Sequence, residues 1–394
     1  MNVGRIFLKP RKEESLLRFH PWVFSGAIAS VSGQVEDGDV VEVHDSAGRF
    51  LGVGHYQVGS IAVRILSFRP ETVDHGFWTR RLRSAYDVRR TLGLCTAGND
   101  TFRLVYGEGD MLAGLVVDMY GQTAVMQAHS VGMHRARTAV VAALKEVLGD
   151  ALQHVYYKSE GTLPFKAALG QENEYLLGGE ENDAVATENG LRFHIDWLKG
   201  QKTGFFVDQR ENRALVERYA HGRSVLNMFC YTGGFSVYAM RGNAVAVHSV
   251  DSSAKAVAMT EKNVELNFPD DARHSAFAAD AFDFLEATGD CYDLIVLDPP
   301  AFAKHRNVLR NALQGYRKLN AVAIGKIRPG GILFTFSCSQ VVSKNDFRLA
   351  VFSAAARTGR HVRILHQLTQ PADHPVSICH PEGEYLKGLA LLVE

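Results

Sequence analysis

Along residues 1 to about 72, apolar and polar positions alternate at short range. In "DGDVVEVHDSAGRFLGVGHY" the apolar Val41 and Val43 alternate with polar neighbours, Asp45 to Gly48 supplies a turn, and Phe50, Leu51 and Val53 return. This is hairpin syntax, and "SIAVRILSF" follows as a further strand. Short strands with glycine turns predict a small β-barrel. The period changes at "DHGFWTRRLRSAYDVRRTLG", where Trp78, Leu82, Ala85, Tyr86, Arg89 and Leu92 share one helical face and Arg80, Arg83, Asp87 and Arg90 the other. Strands are expected at "LAGLVVDMY", "TAVMQAHS" and "LQHVYYKS", with a helix over about 132–148. Residues 73–187 therefore read as a small α+β domain, closed by the acidic, polar loop "LGGEENDAVATENG".

From residue 188 to 394 strand and helix patterns alternate: "SVLNMF", "AVAVHSVD", "AKAVAMTEKNVELN", "YDLIVLD", "NVLRNALQGYRKLNAVAIGKI", "GILFTFS", "NDFRLAVFSAAART" and "LKGLALLV". Such alternation predicts an α/β domain, a mostly parallel sheet with helices on both faces. Sheets of this kind bind ligands beyond the carboxyl ends of their strands. The expected organisation is thus three domains, 1–72, 73–187 and 188–394.

Composition narrows the picture in two places. Five cysteines, at 95, 230, 291, 338 and 379, are odd in number and scattered without CxxC spacing. That argues for reduced thiols in a cytoplasmic protein and against a disulfide framework or a zinc site, and no metal is expected. No apolar run reaches the roughly 18 residues of a membrane span, so no membrane partner is expected. Net charge is zero, yet no acidic residue falls between Asp298 and Asp346, where Lys304, Arg306, Arg310, Arg317, Lys318, Lys326, Arg328 and Lys344 all lie. A locally positive surface is what phosphate contacts require, although a solvated helix face explains any one of these residues equally well.

Four strand ends carry candidate chemistry. After "VLNMF" comes "CYTGGFS", where Gly233 and Gly234 can let a ligand approach the backbone. The run lacks the G-x-G-x-x-G dinucleotide fingerprint. Asp251, which is 18 residues beyond Gly233, can accept hydrogen bonds from both ribose hydroxyls of an adenosine ligand, or simply cap a helix starting at Ser252. Asp280 in "AADAF" can meet an adenine amino group by position. "LIVLDPPAF" sets Asp298 just past a buried strand, with Pro299 and Pro300 fixing a stiff turn and Phe302 available for stacking on a base. A fifth strand end, "FTFSCSQ", carries Cys338 between two serines. By base rate a free cysteine is a small core filler.

Taken in order, "NMFCYTGGFS", Asp251, Asp280, "DPPAF" and "SCS" resemble the nucleotide motifs of class I S-adenosylmethionine-dependent methyltransferases. With "GQKTGFFVDQREN" upstream and "DHPVSICHPEGEYLKG" downstream, they resemble the bacterial RlmI-type large-subunit ribosomal RNA cytosine-5 methyltransferases. "HPWVFSGAI" and the first hairpin are similar to that family's PUA domain, and "YGEGDMLAGLVVD" to its EEHEE domain. The resemblance implies a PUA-like domain, an EEHEE domain and a Rossmann-like catalytic domain. It implies S-adenosylmethionine as cofactor, with Asn227, Phe229, Tyr231 and Gly233 on its methionine and ribose side. Asp251 and Ser252 would hold the ribose, and Asp280 and Ala281 the adenine, with Asp298 at the border with the substrate.

On the substrate side, Asp298 and the Pro299–Pro300 turn would orient a cytosine that Cys338 attacks. Phe302, Lys304 and Arg306 would then contact ribosomal RNA. Enzymes that use two cysteines place the second after the proline of "DPP"; here Pro300–Ala301 stands there. The chemistry implied is thiolate addition at C6, which activates C5 towards the sulfonium methyl. A base methyltransferase acting at a guanine nitrogen is the nearest alternative and needs no thiol. A non-catalytic RNA-binding assembly factor is the alternative from another class. A homodimer is compatible with the chain.

Overall fold

The computed structural model describes all residues except 1–2, 165–168, 170–171, 180–183, 290 and 304. Contacts divide the chain into two compact units. The first comprises 1–190, 195–207 and 372–383; the second comprises 191–194, 208–371 and 384–394. The expected partition had three consecutive pieces. The contacts instead join the first two and fold the late segment 372–383 in with them.

The first unit contains two sheets. Strands β1 (Gly4–Leu8), β2 (Trp22–Phe24), β3 (Ile28–Ser32), β4 (Val40–His44), β5 (Phe50–Tyr56) and β6 (Ile61–Ser67) form a ladder in the order β2-β6-β5-β4-β1-β3. The expected hairpin is β4–β5, and β1 runs parallel to β4. Ile6, Leu8, Val41, Val43, Val63 and Ile65, with Leu16 of the short helix α1 (Glu14–Leu17), make its core.

Helix α2 (His75–Thr91) starts where the Asp74 carboxylate accepts the Phe77 N–H at 2.8 Å. Its buried face is Phe77, Trp78, Leu82, Ala85 and Arg89, while Leu92 stays exposed because the helix ends just before it. Strands β7 (Thr101–Tyr106), β8 (Leu115–Tyr120), β9 (Thr123–Ala128), β10 (His154–Tyr157) and β11 (Glu174–Leu177) form the second sheet, with α3 (Val131–Arg135) and α4 (Arg137–Leu148) between β9 and β10. Strand β12 (Val185–Glu188) follows β11. The sequence pattern had disclosed neither β7 nor β11. Two buried ion pairs brace this unit, Arg103 with Asp118 and Arg89 with Asp110. Arg89 also donates to the Asp373 carbonyl, which ties down the late segment.

In the second unit β13 (Leu191–His194) and α5 (Arg210–Ala220) precede a seven-stranded sheet. Its strands are β14 (Ser224–Met228), β15 (Ala246–Asp251), β16 (His274–Ala278), β17 (Leu294–Leu297), β18 (Gly331–Ser337), β19 (Val362–Thr369) and β20 (Lys387–Val393). Their order is β16-β15-β14-β17-β18-β20-β19, with only β20 running antiparallel to its neighbours. Helices α6 (Gly234–Arg241), α7 (Ala254–Asn267), α8 (Ala281–Ala287), α9 (Leu309–Lys326) and α10 (Lys344–Thr358) complete the alternation. Strands β17 and β18 are buried along their length, as expected for central parallel strands that read as continuous apolar runs. Leu297, Leu333, Tyr316, Leu319 and Phe347 pack together between this sheet and α9–α10. The strand order reverses between β14 and β17. That reversal opens a crevice at their carboxyl ends, where such folds place ligands.

Candidate active site

Every strand end singled out in the sequence reaches the same carboxyl edge of this sheet. The loop after β14 is held in an uncommon conformation, with Phe229 at φ 59°, Tyr231 at φ 46° and Gly233 at φ 79°. Left-handed φ at two aromatic residues costs energy and persists only where the surroundings fix it. Here the Cys230 N–H donates to the Val250 carbonyl, and Thr260 and Asn263 donate to the carbonyls of Tyr231 and Thr232. Gly233 serves this packing: a Cβ there would stand 2.6 Å from Thr260 Cγ2. The glycine thus lets α7 close on the loop. Cys230 is buried beside Thr260, and burial pushes its thiol up to about 12.

Asp251 ends β15 half-buried. Its Oδ2 accepts the Tyr231 N–H at 3.0 Å and its Oδ1 the Ser253 N–H at 2.9 Å. The capping residue of α7 is Ser253, and the helix begins at Ala254, two residues later than expected. Ser252 lies exposed between them. Asn227 sits beneath the loop, 1% exposed; its Nδ2 donates to Ser236, whose hydroxyl meets Ser249, but its Oδ1 has no partner among the described residues. Asp280 is exposed and caps α8 by accepting the N–H groups of Phe282 and Asp283, with Ala281 buried behind it.

Asp298 follows β17 at the centre of the crevice. Gln209 Nε2 donates to its Oδ2 at 3.0 Å, and Asn212 orients that amide by donating to Gln209 Oε1 at 2.6 Å. Burial and the neighbouring Asp208 carboxylate push Asp298 up to about 7, partly offset by the Gln209 bond and Arg213. Asp208 accepts a hydrogen bond from the Tyr385 hydroxyl. Asp208, Gln209, Asn212 and Arg213 are functional candidates that no motif had assigned. The resemblance includes "GQKTGFFVDQREN" but gives these residues no role, and Arg213 follows directly after it.

Cys338 is half-buried just beyond β18, and its loop is anchored on several sides. The Ser339 hydroxyl donates to the Ala303 carbonyl at 2.5 Å, which joins this loop to the "DPPAF" turn. The Ser337 hydroxyl donates to Tyr316 at 2.9 Å. From β20, the buried Lys387 ammonium donates to the Ser339 carbonyl at 2.5 Å and the Val342 carbonyl at 2.7 Å. Burial lowers Lys387 to about 8, against the opposing influence of the Cys338 thiolate. This lysine lies in "YLKG", well outside the basic run that composition had highlighted.

The expected RNA contacts divide. Pro299 is buried and Pro300 exposed. Phe302 is half-buried against Tyr316, ring centroids 4.6 Å apart, so one part of the ring already has a protein partner. Lys304 lies outside the described residues. Lys318, Arg328 and Lys344 form ion pairs with Glu286, Asp293 and Glu384. Arg306, Arg310 and Arg317 are exposed along one groove that Leu313 and Leu349 also line. Among the described residues no helix is long and apolar enough to cross a membrane.

Comparison with known proteins adds independent findings. Residues 113–385 match the S-adenosylmethionine-dependent methyltransferase family, and residues 6–68 match a PUA-like domain. The chain is 38% identical over 395 residues to ribosomal RNA large subunit methyltransferase I of Erwinia tasmaniensis, covering 99% of each. It is 39% identical over 391 residues to the protein of the same name from Pseudoalteromonas atlantica, covering 98% of each. The solved structure of SMU.776 complexed with SAH superposes with a TM-score of 0.84 at 23% identity, over 99% of this chain and 100% of that one. A structure described as a SAM-dependent methyltransferase from Streptococcus mutans gives 0.83 at 22% identity, with the same coverage. At these identities the two structures speak for the fold.

Proposed function

The chain belongs to the ribosomal RNA large subunit methyltransferase I family of S-adenosylmethionine-dependent enzymes, and from that premise we propose that it methylates C5 of a cytosine in large-subunit ribosomal RNA. The observation that carries this reading is the pairing of Cys338 and Asp298. They emerge from the adjacent parallel strands β18 and β17, and the Ser339–Ala303 hydrogen bond ties their loops together. A methyltransferase acting at a base nitrogen has no use for a thiol in that place.

The residues present fit the cofactor. Asp251 offers a half-exposed carboxylate at the end of β15 with two of its lone pairs taken by backbone N–H groups, leaving acceptor capacity for a ribose. The Phe229–Gly233 loop, Asp280 and Ala281 flank it along the same edge. When bound, S-adenosylmethionine supplies an electrophilic methyl group.

The chain's own groups do the rest. Cys338 Sγ adds to C6 of the cytosine, forming a C–S bond and moving electron density towards C5 and N3. Asp298, held near neutrality, donates a proton or hydrogen bond to N3 and stabilises that charge. After methylation the C5 proton passes to a water base, its electron pair re-forms the C5–C6 double bond and expels the Cys338 thiolate, and any proton given to N3 returns to Asp298. The Lys387 ammonium, fixed two residues from the β18 end, favours the thiolate form of Cys338. The base must be unstacked to enter, at a cost of roughly a few kcal/mol, which RNA contacts offset. Arg306, Arg310 and Arg317 and the PUA-like sheet are the surfaces we assign to those contacts. Such a substrate places the protein in the cytoplasm.

The deciding experiment uses target RNA carrying 5-fluorocytidine. Fluorine blocks the final proton loss, so the parent protein should form a stable adduct that contains Cys338. Cys338→Ala should form none and should lower methyl transfer by about 10⁴-fold or more, while still binding cofactor and RNA. Near-normal turnover by that variant would make Cys338 a filler and would favour transfer to a nitrogen.

A further inference from the structure

The first unit gathers three metal-ligating side chains from opposite ends of the chain. His20 precedes β2, and His380 and Glu382 lie in the late segment 372–383 that folds into the same unit. One ligand atom from each lies within 4.8 Å of the other two. Glu382 Oε2 stands 3.5 Å from His20 Nε2 and 3.7 Å from His380 Nε2. A tetrahedral zinc ion with ligands at about 2.0–2.1 Å holds its donor atoms about 3.3 Å apart. The two edges at Glu382 therefore stand slightly outside those of such a tetrahedron, and the His20–His380 edge, within 4.8 Å, is the one that closes on binding.

A second observation points into the same place. His380 is 3% exposed, yet neither of its ring nitrogens has a hydrogen-bond partner among the described residues. Buried polar atoms without partners are uncommon and call for an explanation. The indole of Trp22 packs against His380 with centroids 4.4 Å apart, and Trp22 Nε1 donates to Glu108 Oε1 at 2.8 Å. Glu108 thus adds a second negative charge close to the cluster. The cysteine spacing that spoke against zinc has no bearing on a set built from two imidazoles and a carboxylate.

We propose that His20, His380 and Glu382 form a binding site for one divalent transition-metal ion, best suited to Zn²⁺, with a fourth position open to water. Imidazole and carboxylate donors in a three-ligand tetrahedral set favour zinc over the harder cations, which prefer six or more oxygens. His20 Nδ1 accepts the Trp22 N–H at 3.2 Å. Ligation through Nε2 puts the ring proton on Nδ1, so that long bond is given up on binding. The ion would fasten segment 372–383 to the loop before β2, a role separate from methyl transfer.

The test uses the full-length protein, dialysed against chelator and titrated with Zn²⁺ by calorimetry and with Co²⁺ by visible absorption. One equivalent should bind, with the intense visible bands of tetrahedral cobalt and no sulfur-to-metal charge-transfer band. Glu382→Gln is a surface change that should leave the fold intact. It should weaken Zn²⁺ at least tenfold and abolish the metal-induced rise in melting temperature, and His380→Ala should do the same. Cys379→Ala should bind like the parent, which separates this site from the adjacent thiol. Absence of saturable binding, a thiolate band lost in Cys379→Ala, or unchanged affinity in Glu382→Gln and His380→Ala would each overturn the proposal.

Discussion

Buried charge is handled in opposite ways in the two units. In the first, Arg103 donates through Nε and Nη2 to both oxygens of Asp118 at 2.7 Å, and Thr203 adds a third bond at 2.6 Å. Arg89 forks onto Asp110 in the same manner and uses its remaining donors on carbonyls. In the second unit Asp298 receives one bond from a neutral amide and faces another carboxylate. Lys387 is buried with its ammonium on two carbonyls, and among the described residues no carboxylate pairs with it. A closed, fully bonded pair serves the fold. A charge held without a full counter-charge stays within reach of neutral pH and remains available for chemistry.

The largest effect that should follow from this contrast is on stability. Asp118→Asn leaves the Arg103 guanidinium buried without its counter-ion, which should destabilise the first unit by about 3–5 kcal/mol. Denaturant unfolding monitored alongside cofactor affinity would measure it. If Asp118→Asn weakened cofactor binding as strongly as it lowered stability, the contrast between structural and chemical charge would be lost.

The next effect is expected at Lys387. Replacing its ammonium by the apolar Lys387→Met side chain should shift alkylation of Cys338 to higher pH by about one unit. Methyl transfer at neutral pH should fall about tenfold with it, because less thiolate is present. Lys387→Arg keeps the charge and should recover most of the shift. Peptide mapping confines the readout to Cys338 and away from Cys230, whose buried thiol is pushed up to about 12. Loss of activity with an unchanged alkylation profile would assign Lys387 to holding the Ser339–Val342 turn and nothing more.

Local period and punctuation made much of the fold legible in the sequence. The β4–β5 hairpin, α2 and the alternating second unit all announce themselves through residue spacing, as do the strand ends carrying Asp251, Asp298 and Cys338. Strands β7 and β11 do not, because "TFRLVY" and "EYLL" are short and flanked by polar loops. The assignment of 372–383 to the first unit was also hidden, since it rests on long-range bonds such as Arg89 to the Asp373 carbonyl. The same reason hid the roles of Lys387 and the Asp208–Arg213 group, which lie in or beside segments the resemblance includes but whose significance is created by neighbours far away in sequence. Gly233 was legible as a special position, but only the three-dimensional approach of Thr260 shows which protein atoms also need the space.

The smallest effect is the most diagnostic, and it concerns the protonation of Asp298. Its folded pKa is raised to about 7, so the acid form that donates to N3 predominates below that pH and is lost above it. kcat/KM, which reports the free enzyme, should therefore show a descending limb near pH 7 that Asp298→Asn removes at a lower plateau. Two neighbours should move the limb in opposite directions by about half a unit to one unit. Gln209→Met withdraws a hydrogen bond that favours the carboxylate, so the limb should rise. Asp208→Asn removes the like charge that opposes ionisation, so the limb should fall. A limb that persisted in Asp298→Asn would belong to another group, and shifts of the same sign in both neighbours would mean that general loosening of the crevice, and not its electrostatics, sets the profile.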